Sequence, residues 1–249
     1  MRAAFMLLTR FPAGAGPVTP AEDGARIAWA FPFVGLAVGI VGALAFFVAE
    51  AAGTGPVLAA LAALAILCLA TGALHEDGLA DVADGFGGGR DRARKLDIMR
   101  DSRVGTYGVL VLVFSAGARV AGLVALARAG EAVDSLVAAS ILSRMAMVAP
   151  MVLLSPARAD GLGARHGGAT ASAAWRAVVA GLSMAVLLLG PFAGTMAGLA
   201  AGAAALAVTT LARRQIGGKT GDVLGASQQA AEVAVLVVLV ALNGPRPLA

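Results

Sequence analysis

A chain of 249 residues that is 59% hydrophobic and only 14% charged, with a mean hydropathy of +0.86, carries more apolar surface than a soluble core of that length can hide. It belongs in a bilayer, and its net charge of +4 and isoelectric point near 10.2 give no ground for a nucleic-acid partner. The lone cysteine, Cys68, excludes an internal disulfide or a multi-cysteine metal site, and its place in an apolar run is one of packing.

Ala3 to Leu8 is a short apolar run behind Arg2, ending at Thr9-Arg10-Phe11-Pro12. It resembles the start of a signal peptide but is too brief, with Pro12, Pro17 and Pro20 close behind, and reads as a retained interfacial segment. A first span is expected from about Ile27 to Ala49, interrupted early by Pro32, and a second from about Pro56 to Gly72. The polar island His75 to Gly85 then continues the second helix through Asp84, about one to three turns past the hydrocarbon edge, until Gly85 to Gly89 stops it.

Further spans follow at about Val104–Ala127, Ala132–Leu154 and Ala174–Leu189, and Gly190-Pro191 turns into a sixth that ends near Ala212. The last apolar run, Ala231 to Leu242, is too short for a hydrocarbon layer of about 30 Å unless its helix begins near Asp222. That start would carry Gln228, Gln229 and Glu232 on a membrane helix. The expected fold is all-α: a polytopic membrane protein of about seven transmembrane helices in one catalytic domain, residues 1–249, with abundant glycine and alanine for close packing in lipid.

With the amino terminus in the cytoplasm, fifteen of the 19 basic residues fall on the inner side. They are Arg2, Arg10 and Arg26, then Arg90, Arg92, Arg94, Lys95, Arg100 and Arg103, then Arg158, Arg165 and Arg176, and finally Arg213, Arg214 and Lys219. Only Arg128 and Arg246 fall outside, while Arg119 and Arg144 lie within spans. The positive-inside rule thus makes the polar island cytoplasmic.

On a helix Asp77, Asp81 and Asp84 fall at i, i+4 and i+7 and share a face within about a 60° arc. Three carboxylates so stacked repel one another. They are either a solvated acidic helix end or the seat of a hard divalent cation bridged to substrate phosphates. Asp101 adds a carboxylate beside Arg103, while Arg90, Arg92 and Arg94 serve either phosphate or anionic lipid. A guanidinium within a span needs a partner, so Arg119 and Arg144 face either an anion or structural carboxylates.

The second polar patch runs from Gly217 to Gln229. Gly218-Lys219-Thr220 looks like the end of a P-loop, but the required glycine six places earlier is Arg213, and that reading fails. A glycine-rich turn opening onto a helix still offers N–H groups to phosphate, with Asp222 available for metal. His75, offset from Asp77 by about 160°, is a ligand, a base or a structural hydrogen bonder, and His166 in the loop Gly161 to Gly168 is incidental. The active-site segments are therefore about 74–103 and 213–230.

The run His75-Glu76-Asp77-Gly78-Leu79-Ala80-Asp81-Val82-Ala83-Asp84-Gly85, followed by Ile98-Met99-Arg100-Asp101-Ser102-Arg103-Val104-Gly105-Thr106-Tyr107-Gly108, resembles the signature of the cobalamin synthase family, the adenosylcobinamide-GDP ribazoletransferases. Leu8 to Pro12, Phe31 to Gly35, Ser143-Arg144 and Gly221-Asp222 with Gln228-Gln229 extend the resemblance over nearly the whole chain. Glu76 stands where the family usually has an apolar residue, and is set aside as a bystander.

The resemblance implies a Mg²⁺-dependent enzyme in a bacterial plasma (inner) membrane, acting from the cytoplasmic side. It would join adenosylcobinamide-GDP to α-ribazole, or to α-ribazole 5′-phosphate, giving adenosylcobalamin or its 5′-phosphate and GMP. Asp77, Asp81 and Asp84 would hold the metal, Arg103 and Arg144 would clamp phosphate, and Asp101 or Asp222 would be a further ligand or the base. Lys219, Gln228 and Gln229 would bind substrate.

Two other classes compete. A CDP-alcohol phosphotransferase or a prenyl-diphosphate transferase also uses an aspartate-rich helix with Mg²⁺, but the former's usual Ala-Arg pair is Ala80-Asp81 here. A transporter would carry charges along its path, whereas these carboxylates cluster at one membrane face. The distribution of basic residues also sets a topology: a cysteine placed at Gly88 should react only with a label added from the cytoplasmic side, and one at Gly53 only from outside, with reversed labelling refuting the orientation.

Overall fold

The computed structural model describes residues 1–12, 27–158 and 168–243, so Pro17, Pro20, Arg26, Arg165, His166 and Arg246 lie outside it. The described residues form α1 (Arg2–Leu8), a 3₁₀ turn (Ala28–Ala30) leading into α2 (Phe31–Ala51), α3 (Pro56–Thr71), α4 (Leu74–Gly88), α5 (Arg92–Ile98), α6 (Thr106–Arg128), α7 (Ala132–Ala146), α8 (Val148–Leu153), α9 (Ala171–Leu189), α10 (Pro191–Ile216) and α11 (Gly221–Asn243). An isolated parallel bridge between Pro156 and Lys219 is the only strand-like pairing among them.

Among the described residues six helical segments are long and apolar enough to cross a bilayer: 28–51, 106–128, 132–153, 171–189, 191–216 and 221–243. A seventh exists if α3 and α4 are counted as one broken span. The chain is thus a multi-pass membrane protein, and its last span begins at Gly221, so that Gln228, Gln229 and Glu232 do ride on a membrane helix. Lipid-facing side chains such as Phe114, Trp175 and Leu187 are well exposed, as a bundle immersed in hydrocarbon requires.

The helix into the acidic island does not run straight. Gly72 and Ala73 both take left-handed backbone conformations, with φ of 66° and 55°, and α4 leaves α3 at 90°. Glycine adopts that conformation freely, and the Ala73 N–H closes the end of α3 by donating to the Cys68 carbonyl at 2.8 Å. Alanine at positive φ is strained by about 1–2 kcal/mol, so packing on both sides of the bend must hold it. The bend turns α4 onto α6 and α11.

The centre of the bundle is α7, where every residue from Ser135 to Ala146 is buried. It is wrapped by α2, α9 and α11. Gly35 and Gly39 of α2 permit this: a Cβ at Gly35 would lie 2.7 Å from the Ile141 Cα, and one at Gly39 would lie 3.0 Å from the Val137 Cα. Without water to drive helices together, such backbone contact is where packing energy comes from. The helix breaks after Ala146 because Pro150 has no N–H to return to the Ala146 carbonyl.

The Gly35 contact yields a stability test. Gly35→Val overpacks the α2–α7 seam and should destabilise the fold by about 1–3 kcal/mol. Gly202→Ala, where the added carbon meets nothing within 4 Å, should leave it unchanged. Thermal unfolding in detergent separates the two, and equal melting temperatures would refute the seam.

Candidate active site

Two close approaches build the site. A Cβ on Gly78 of α4 would fall 3.0 Å from the Asp222 Cα, and one on Gly225 of α11 would fall 3.2 Å from the His75 Cα. The N-terminal turn of α11 therefore lies directly on α4. Thr220 caps that turn, accepting from the Val223 N–H at 3.3 Å while its hydroxyl donates to Asp222 Oδ2 at 3.0 Å.

The turn is itself pinned. The Lys219 N–H donates to the Ser155 carbonyl at 2.9 Å and the Ala157 N–H to the Lys219 carbonyl at 2.8 Å, zipping 155–157 to the segment before α11. Arg92 braces both strips, with Nε on the Ile216 carbonyl at 2.8 Å and Nη2 on the Ala157 carbonyl at 2.7 Å. Lys95 bonds Gln215 from the same helix. A small apolar cluster including Val82, Met99, Leu154, Ile216 and Val223 supports this end of α4.

His75, Asp77, Lys219 and Asp222 thereby line one cavity of about 110 Å³. Asp81 lies one turn beyond Asp77, in the polar half of α4 that we read as outside the spans. Burial, and then the charges of Asp222, Asp77 and Asp84, push its carboxyl up to about 7. The cation set against these aspartates is Arg158, whose Nη2 stands 3.8 Å from Asp222 Oδ2. Its Nε and Nη2 are buried with no hydrogen-bond partner.

Asp84 has a different occupation. Its Oδ2 accepts the Gly105 N–H at 2.7 Å and its Oδ1 the Gly108 N–H at 2.9 Å, tying α4 to the start of α6. Asp222, with Asp77 and Asp84, is one of the three aspartates whose charge acts on Asp81. Among the described residues no three His, Cys, Asp or Glu side chains form a ready metal cage. A hard cation held by two carboxylates and completed by substrate phosphate needs no such cage, and the excess negative charge around Asp81 fits one.

The other residues singled out from sequence are placed elsewhere. Asp101 and Arg103 pair with each other in the exposed turn after α5 (2.6 Å), where the donating Arg103 holds the Asp101 carboxyl at about 2. Arg144, Gln228 and Gln229 lie in the bundle interior. Gln228 Nε2 donates to Glu232 at 2.6 Å and to Ser143 at 3.0 Å, Gln229 Nε2 donates to Glu76 at 3.0 Å, and Arg144 Nη1 donates to the Ser140 carbonyl at 3.1 Å. Arg119 Nη1 reaches Glu76 at 3.2 Å and Glu232 at 3.5 Å.

Glu76 is thus no bystander but half of a buried charge network, which answers for Arg119 the choice between an anion and a structural partner. Lys219 lines the cavity with its Nζ on the Met151 carbonyl at 2.7 Å, and burial lowers its pKa. The sequence reading counts Arg158 only among the inner basic residues and does not assign it, Leu7 or Leu8 to the site. Nothing local marks Arg158 except Pro156 before it, and its role depends on the pairing with Lys219.

A profile of the cobalamin-5-phosphate synthase family matches residues 1–240. The adenosylcobinamide-GDP ribazoletransferase of Bradyrhizobium diazoefficiens is 46% identical over 245 residues, covering 98% of this chain and 94% of that protein. Proteins of the same name from Azorhizobium caulinodans and Mesorhizobium japonicum are 47% and 48% identical, covering 94% and 84% of this chain and 92% and 81% of theirs. No solved structure matches. The chain belongs to the cobalamin-5-phosphate synthase family, a family of enzymes.

The separate occupations of the aspartates predict opposite effects on stability. Asp84→Ala strips the acceptor from two backbone N–H groups and should cost about 1–2 kcal/mol, seen as a lower unfolding temperature. Asp81→Asn removes a repelled charge and should unfold no earlier than the parent without metal. Equal destabilisation by both would show that the acidic face is a single structural unit.

Proposed function

From that membership we propose that the chain joins adenosylcobinamide-GDP to α-ribazole, or to α-ribazole 5′-phosphate, with release of GMP, at the cytoplasmic face of a bacterial plasma membrane. One observation carries the reading: the crossing of α4 and α11 brings Asp77, Asp222 and Lys219 around one cavity, with Asp81 close enough to feel both carboxylates and Arg158 set against Asp222. Crowded carboxylates in excess over the one guanidinium set against them, whose Nε and Nη2 have no hydrogen-bond partner, suit a diphosphate better than a lipid headgroup or a transported ion.

In the proposed reaction a ribose hydroxyl of the acceptor attacks the cobinamide-linked phosphorus. A new P–O bond forms, the bond to GMP breaks, and the hydroxyl proton passes to the enzyme. Asp77 and Asp81 would hold Mg²⁺, which supplies neutralisation of the diphosphate charge. Asp222 lines the cavity and is fixed by Thr220 and Arg158, which places a carboxylate to accept the proton. Arg158 offers Nε and Nη2 to the departing phosphate.

Asp101 is a poor base, since Arg103 holds it ionised at about 2, and their exposed pair makes Arg103 an unsuitable clamp. Arg144 acts in this reading through the interior and not on phosphate. The bias of basic residues toward one set of loops supports a site on the cytoplasmic side, where nucleotide-linked substrates are found.

Purified protein supplied with Mg²⁺, adenosylcobinamide-GDP and α-ribazole should release GMP, and chelation should stop it. Asp77→Asn, Asp81→Asn and Asp222→Asn should each lose at least about 100-fold in turnover with double variants little worse, because residues acting as one unit are not additive. Arg103→Ala should stay within about threefold of the parent, as an exposed pair contributes little. Near-parental GMP release from all three Asn variants at limiting Mg²⁺ would refute the mechanism.

A further inference from the structure

Two spaces meet at Asp77, and they differ in character. One is the cavity of about 110 Å³, an apolar chamber walled mainly by Leu7, Leu8, Phe31, Met147, Met151 and Leu224. The other is a polar cleft of about 420 Å³ bordered by Thr9, Arg10, Thr71 and Gly72. Its volume falls in the range of about 300–1,000 Å³ that ligand sites occupy. A diphosphate pressed into the chamber would exchange its hydration for hydrocarbon, so of the two spaces the cleft is the one suited to it.

Arg10 is the one cation on the wall of that cleft. Its backbone N–H, donating to the Ala70 carbonyl at 2.7 Å, already ties the chain to the end of α3, and its guanidinium donates to no carbonyl there. The side chain lies over Gly72, where a Cβ would run into its Nε. The Thr9 and Thr71 hydroxyls donate to the Phe5 and Leu67 carbonyls at 2.7 and 3.0 Å, leaving Arg10 the side chain on this wall with N–H donors to spare. Arg10 and Asp77 are both exposed and both border the cleft, yet no ion pair joins them. Neither side chain has a hydrogen-bond or ion-pair partner among the described residues. Opposite charges that share a cleft without touching suit a bridging anion, with oxygens for the guanidinium on one side and for a carboxylate-bound cation on the other.

We infer that Arg10 is a phosphate-binding residue of the site: its guanidinium holds the diphosphate of the nucleotide-linked donor in the cleft, next to the Mg²⁺ that Asp77 would carry. The inference rests on the ribazole-transfer reading above and adds to it a guanidinium from the amino-terminal segment, separate from Arg158, which faces Asp222. The planar fork of an arginine binds two oxygens of one diphosphate at once, which a single ammonium does not.

Kinetics and ligand-induced stabilisation of the full-length protein test this. Arg10→Gln should raise the KM for adenosylcobinamide-GDP at least about 10-fold, and leave those for α-ribazole and α-ribazole 5′-phosphate within about twofold. Arg10→Lys, which keeps the charge without the fork, should show a smaller rise of about threefold, and it carries the test should Arg10→Gln fail to fold. Independently of turnover, inorganic diphosphate with Mg²⁺ should raise the melting temperature of the parent, and Arg10→Gln should need at least about 10-fold more diphosphate for the same rise. A lipid headgroup as the true anion would show as a melting temperature that Arg10→Gln changes in phosphatidylglycerol nanodiscs but not in phosphatidylcholine ones, with the donor KM unmoved. That result, equal losses for donor and acceptor, or a rise in the KM for α-ribazole 5′-phosphate alone would each overturn the subsite while leaving the transfer reaction standing. A parent enzyme that releases no GMP would remove the reaction itself, and the diphosphate titration would still decide whether Arg10 binds phosphate.

Discussion

Two guanidinium groups, those of Arg119 and Arg144, sit inside a bundle where no bulk water can solvate them. Each would cost several kcal/mol unpaired, and the arrangement of four helices follows from meeting that cost. Glu76 from α4 and Glu232 from α11 bring two negative charges, so the interior is formally neutral. Gln228, Gln229, Ser143 and Ser115 join the carboxylates to one another and to the helices around them. A network of this kind fixes register, because sliding α4 by one residue would strand both an arginine and a glutamate in a dry interior.

That constraint sorts the acidic residues of α4 by occupation. Glu76 is neutralised in the interior, and Asp84 is engaged by two backbone N–H groups at the start of α6. Among the described residues only Asp77 and Asp81 of this group have no structural partner, and the same lock that holds Glu76 holds them where α11 delivers Asp222. Carboxylates that repel one another would part if the backbone allowed it. Here Gly78 and Gly225 bring the two helices to backbone contact, so the repulsion persists and becomes a standing affinity for positive charge.

How much of this was legible in the sequence depended on the range of the physics involved. Span positions came within a few residues, since hydropathy and length are local, and even the start of the last span at Gly221 followed from the thickness of the hydrocarbon layer. The bend at Gly72 was missed because two consecutive left-handed residues leave no periodic trace, especially when the second is an alanine. Shared spacing grouped Asp84 with Asp77 and Asp81, but helical periodicity reports direction only and could not show that Asp84 also accepts two backbone N–H groups at the start of α6. Arg144, Gln228 and Gln229 drew a substrate-binding reading because polar residues within spans are functional candidates by default, and spacing alone could not show the partners they have inside the bundle. Glu76 was the converse: a departure from a familiar pattern passed for a bystander when its partners, Arg119 and Gln229, stood 43 and 153 residues away.

The amino-terminal segment shows how the lipid interface and the chemistry are joined. A 90° bend leaves the end of α3 with carbonyls that the helix no longer satisfies. The Arg10 N–H donates to one of them, that of Ala70, at 2.7 Å, and the Arg10 guanidinium lies over Gly72, where any side chain would displace it. A cation at a helix C-terminus is favourable in itself, and this one also fixes where α1 lies, with Leu8 buried against the bundle core. Leu7 and Leu8 then form walls of the chamber, while Met6 on the same short helix remains exposed. The short helix tied to the bend is therefore also a wall of the cavity, so the bend that sets the aspartates in place creates both the opening and the means of covering it.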